Sequence, residues 1–79
     1  MNITQNIIHI AAQILGVPPT ALDAGTTREQ IAQWDSVRNL NLILAIEQQL
    51  GIEFGDQEIM AMASIGEIAA AAVKRGAAE

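Results

Sequence analysis

The chain has no cysteine and no tyrosine, and a single tryptophan and a single phenylalanine among its 79 residues. Without cysteine there is neither a disulfide framework nor a thiolate metal site, so any thiol the protein uses must arrive on a cofactor. With so few aromatic rings, a core has to be built from isoleucine, leucine, alanine and methionine, a composition that favours packed helices. Positive charge is scarce as well: four lysines and arginines stand against nine aspartates and glutamates, for a formal net charge of −5. That balance opposes phosphate backbones and anionic lipid, so neither nucleic acid nor a membrane surface is expected as a partner, and partners should be basic. No apolar run approaches the ~18 residues that a membrane span needs. The opening Met1-Asn2-Ile3-Thr4 lacks the charged and apolar regions of a signal peptide, and a cytoplasmic location is the expectation.

What is present is 51% hydrophobic residues with helical spacing. Ile3, Ile7, Ile10, Ala11 and Ile14 recur at intervals of three and four, which predicts an amphipathic first helix from about Thr4 to Leu15, ended by Gly16. Val17-Pro18-Pro19-Thr20 cannot continue it, and Asp23 and Gly25 extend the loop through Thr27. A loop of about 20 residues is unusual in a compact domain and often functional. Ala21, Leu22 and Ile31 are its candidate anchors on the core. The next helix is predicted over Ser36 to Leu50, with Gly51 as a left-handed cap and Ile52 and Phe54 folding back. Asp56 is a candidate cap for a short helix over Gln57 to Met62, with Ile59 and one methionine facing inward. Ser64 and Glu67 have the spacing of a capping box for a last helix from Ile65 to about Arg75. Its inward face is Ile65, Ile68, Ala69, Ala72 and Val73, with Lys74 and Arg75 suited to its negative end. Gly76 to Glu79 is expected to fray. The fold class is therefore all-α: a four-helix bundle with a long loop between helices one and two and a short third helix, in one domain over 1–79. A chain this short buries only about 60% of its unfolded surface, so modest stability is expected.

The second helix carries more apolar residues than one core face can use. At 100° per residue they separate into two arcs: Leu42, Ile43, Ile46 and Leu50 on one side, Val37, Leu40 and Leu44 on the side shared with Ser36. A small bundle can hardly bury both. The Val37, Leu40 and Leu44 arc is expected to be exposed and to serve as a docking surface.

Ser36 stands where the loop ends and this helix begins. A phosphodiester on its hydroxyl would sit at the positive end of the helix macrodipole, beside N–H groups without partners inside the helix. On position alone, Ser36 as a helix cap, with Asp35 as rival cap, is the better account. The run Trp34-Asp35-Ser36-Val37, continuing through Leu42-Ile43-Leu44-Ala45-Ile46-Glu47 to Leu50-Gly51-Ile52-Glu53-Phe54, resembles the acyl carrier proteins. That family modifies the serine of an Asp-Ser-Leu motif with 4′-phosphopantetheine, and the order of helices and loop fits it over nearly the whole chain. The resemblance implies that a phosphopantetheinyl transferase moves the arm from coenzyme A to the Ser36 hydroxyl with magnesium. The arm's thiol then holds an acyl group as a thioester. It also implies that Asp35 helps present the serine to the transferase.

No catalytic set can be assembled. His9, the lone histidine, projects away from the Ile7 and Ile10 face and reads as a solvated residue. Glu53, Asp56 and Glu58 read as a solvated face and helix-start charges rather than a metal site. The protein is accordingly expected to be a carrier and not an enzyme, with no metal of its own. Trp34 stands where many fatty-acid carriers have a small residue, and is expected to anchor the loop end by burying its indole. The family's docking helix is usually studded with acids. Here that face offers only Glu47 among Arg38, Asn41 and Gln48, which suggests weaker steering and dedicated partners rather than ordinary fatty-acid synthase enzymes.

The expectation is thus a discrete, monomeric acyl carrier protein for a fatty-acid, polyketide or other specialised pathway, with Ser36 carrying the arm, Asp35 presenting it, and Val37, Leu40, Leu44 and Glu47 contacting partner enzymes. An aminoacyl or peptidyl carrier of a non-ribosomal assembly line is the nearest alternative, although those carriers commonly show glycine before Asp-Ser where Gln33-Trp34 stands here. An unmodified helical adaptor that binds a partner helix through the exposed arc is the alternative of another class.

Overall fold

The structure, a computed structural model, describes residues 2–77. Four helices follow one another: α1 (Ile3–Leu15), α2 (Ser36–Leu50), α3 (Asp56–Ala61) and α4 (Ile65–Lys74), and the described residues contain no strand. The expected all-α architecture with a long first loop and a short third helix is the one observed. Helix α1 packs against both α2 and α4. The core between them is aliphatic, with Ile7, Leu15, Leu42, Ile43, Ile46, Ile65 and Ile68 fully buried.

The helix ends show how local chemistry sets these bounds. Asn2 caps α1 by accepting the Gln5 N–H at 2.9 Å. At the other ends, the N–H groups of Val17, Ile52 and Ala77 return to the carbonyls of Ala12, Glu47 and Ala72, each after a glycine (Gly16, Gly51, Gly76) in the left-handed region. This closure satisfies carbonyls that the helix leaves open and brings the residue after the glycine back towards the core. Ala77 is buried in this way, so the expected fraying does not begin at Gly76; Ala78 and Glu79 lie outside the described residues.

Several expectations need correction. Val73 is more than a third exposed rather than inward-facing. Helix α3 starts one residue earlier than expected and its cap is Gly55, not Asp56; Glu58 reaches back to accept the Gly55 N–H at 2.9 Å. The Ser64 hydroxyl accepts the Glu67 N–H at 3.2 Å as a cap should, but Glu67 reaches one residue further back than a capping box requires, to Ala63 N–H at 3.1 Å. Of the candidate loop anchors, Leu22 is buried and Ile31 half-buried, whereas Ala21, in a short 3₁₀ turn over Pro19–Ala21, is exposed.

The long loop is held chiefly by backbone. Thr27 and Ser64 form an isolated antiparallel bridge, flanked by Arg28 N–H to Ala63 O at 3.1 Å and Ile65 N–H to Thr26 O at 3.1 Å. Gly66 N–H donates to Ala24 O at 2.8 Å, an approach so close that a Cβ on Gly66 would lie 2.9 Å from that oxygen. The loop is thus docked onto the start of α4, and its far end delivers the chain to α2.

Candidate functional site

Ser36 is the first residue of α2 and is exposed. The cap before it is Asp35, which settles the rivalry between the two residues. Asp35 is extended, its Oδ1 accepts the Arg38 N–H at 2.8 Å, and its main-chain oxygen accepts the Asn39 N–H at 2.8 Å. Its other carboxylate oxygen lies 3.2 Å from Arg38 Nη1. Both side chains of that pair are about half exposed, so solvent screening leaves it a weak contact. With the cap supplied by Asp35, the Ser36 hydroxyl has no hydrogen-bond partner among the described residues, and neither have the backbone N–H groups of Ser36 and Val37. An accessible hydroxyl next to free N–H groups at the positive end of a 15-residue helix fits an esterified phosphate.

Trp34 is buried, as an anchor should be, and its indole Nε1–H donates to Asn39 Oδ1 at 2.9 Å. Asn39 is the residue that sequence reasoning missed. Its signal was present, since it precedes Leu42, Ile43 and Ile46 by three, four and seven positions and so shares the buried face of α2.

The exposed arc is where it was expected. Val37, Leu40 and Leu44 are 70%, 54% and 49% exposed, while Leu42, Ile43 and Ile46 are sealed in the core. Met60 of α3 adds an apolar side chain that is 85% exposed. A groove of about 270 Å³ runs between these helices, lined by Arg28, Ser36, Asn39, Leu40, Ile59 and Met60. Glu47 differs from the expectation of a free acid on the docking face. It is half-buried, and its Oε2 accepts the Phe54 N–H at 2.8 Å, which pins the turn after α2. His9 is exposed on α1 and lines two cavities, neither of which includes Ser36.

The acidic residues of α3 also have a structural use. Glu58 Oε1 accepts from Arg75 Nε at 2.7 Å, tying α3 to the end of α4. The Arg75 hydrogen bond, followed by that from Gly55, holds the Glu58 carboxyl below its ordinary range, and Glu58 in turn raises Arg75.

A family model described as a phosphopantetheine attachment site matches residues 5–72, from the first turn of α1 into the last turns of α4. The chain belongs to the phosphopantetheine attachment-site family. Its members are carriers that receive 4′-phosphopantetheine covalently from a transferase and are not themselves catalytic, so this protein is a phosphopantetheine carrier. No curated protein matches the chain significantly. No described helix is long and apolar enough to cross a membrane.

Proposed function

We propose that Ser36 is the residue that carries the 4′-phosphopantetheine and that the protein is an acyl carrier serving a dedicated fatty-acid, polyketide or related pathway. The observation that carries this reading is the free, exposed hydroxyl at the first position of α2, with the cap already supplied by Asp35, inside a family match that spans the helix. In loading, the Ser36 oxygen attacks the phosphorus of coenzyme A that bears the pantetheine. A phosphorus–oxygen bond to serine forms as the bond to the adenosine bisphosphate leaving group breaks, and the serine proton passes to a base of the transferase. The arm then supplies reach and a thiol for thioester chemistry. Asp35 keeps the first turn of α2 rigid, and so keeps the serine in one presentation.

Val37, Leu40 and Leu44 form the surface read by partner enzymes, with Glu47 at its edge. Support for dedicated partners comes from charge. The only cation on this stretch, Arg38, faces Asp35, and the only acid, Glu47, is engaged with Phe54, so the face offers shape and apolar area more than electrostatic steering. The test of attachment is the intact mass of the purified protein after incubation with coenzyme A, magnesium and a broad-specificity transferase. The mass should rise by one phosphopantetheine, and Ser36→Ala should abolish the rise.

A further inference from the structure

The Trp34–Asn39 pair does more than fill space. An indole N–H can only donate, so the Asn39 atom that meets it must be the acceptor oxygen, and this fixes which way the amide points. The Asn39 side-chain nitrogen is therefore turned away from Trp34. It finds no acceptor among the described residues, although the residue is more than nine-tenths buried, at 8% exposed. No sealed side-chain nitrogen or oxygen is left unpaired in the described structure, so this Nδ2 must reach an open surface. Asn39 lines a groove together with Ser36. Residues three apart on a helix have Cβ atoms about 5–6 Å from one another, which brings the amide of Asn39 within reach of a phosphate carried by Ser36. Arg28 lines the same groove and has no carboxylate at ion-pair distance among the described residues, so the charge there favours an anion.

We propose that Asn39 is a positioning residue for the loaded arm: its Nδ2, oriented by the Trp34 indole, donates a hydrogen bond to a phosphodiester oxygen on Ser36. This rests on the reading that Ser36 is the attachment residue. The Nδ2 donor, open to water in the free protein, exchanges that water for a charged acceptor on loading, so the contact should fix the start of the arm against α2. Arg28 reinforces it from the loop side.

The test compares side-chain amide resonances of ¹⁵N-labelled protein before and after loading, on samples whose mass establishes the extent of loading. One Asn39 Nδ2 proton should move downfield on loading, while the Trp34 indole proton stays hydrogen-bonded, and Ser36→Ala treated in the same way should show no change. Asn39→Asp keeps an acceptor for the indole and removes the donor, so the phosphorus resonance of its loaded form should shift from that of the loaded wild type. A fully loaded wild-type protein whose Asn39 amide does not move would overturn the inference and leave the attachment reading intact. Failure to load at all would overturn the attachment reading itself. If Asn39→Asp does not fold, the wild-type resonances decide alone.

Discussion

The two apolar arcs of α2 are built from the same kinds of side chain and meet opposite fates. Leu42, Ile43 and Ile46 are sealed against α1 and the rest of the core, whereas Val37, Leu40 and Leu44 stand in solvent on the side of Ser36. Each fully buried side chain of this kind contributes roughly 1.5–3 kcal/mol relative to leaving it exposed. The exposed arc forgoes that stabilisation. One helix thus divides along its circumference, with one side committed to folding and the other left free for the recognition role proposed above. Asn39 marks the seam, on the buried face yet lining the groove at Ser36.

Substitutions in the two arcs should therefore separate stability from partner recognition. Ile43→Ala should cost about 2–5 kcal/mol in urea unfolding, because it leaves a cavity in the core. Leu44→Ala should stay within about 0.5 kcal/mol of wild type and instead lower kcat/KM of a partner enzyme acting on the loaded carrier. Equal destabilisation by the two would erase the distinction between the arcs. Gly66→Ala probes a site remote from both. Its new methyl meets the Ala24 carbonyl, so it should cost about 1–3 kcal/mol and increase hydrogen exchange at Gly66 N–H as the loop loosens from α4.

Asp35→Ala should cost about 1 kcal/mol through loss of the cap and slow loading by the transferase. Asp35→Asn, which also caps well, should recover most of the stability. If its loading rate recovers too, Asp35 acts through the helix end alone, and if the rate stays low, the carboxylate is itself needed. The smallest effect concerns Glu58. Its folded pKa is depressed below 4.5, its ordinary value, so the contribution of the Arg75 contact is fully present above that value and is lost as pH falls through the folded pKa. Thermal unfolding across the acid range should show a slightly shallower decline in Arg75→Gln than in wild type. Parallel declines would show that the pair adds nothing measurable.

Much of this was legible from the order of residues. The bounds of α2, its two arcs and the glycine closures after α1 and α2 follow from periodicity and from the left-handed conformation that glycine tolerates. What escaped notice were cases in which one polar side chain has two possible partners. Asp56 looked like a cap until Glu58 was seen to reach back to Gly55, and Glu47 looked free until the turn after Gly51 brought Phe54 N–H to its carboxylate. Asn39 was hidden because a polar residue in an apolar helix is normally assigned to solvent, and only the Trp34 indole makes its burial favourable. The burial of Ala77 depends on a helix closure whose direction residue type alone does not reveal. At the site, the exposure of Ser36 could be anticipated, but the choice of Asp35 as cap, which frees the serine, needed geometry.

That freedom of the Ser36 hydroxyl is the central claim, and intact mass spectrometry after loading from coenzyme A tests it most directly. Wild type should gain one phosphopantetheine per chain and Ser36→Ala none. A gain of the same mass by Ser36→Ala, or none by folded wild type with an active transferase, would contradict the assignment.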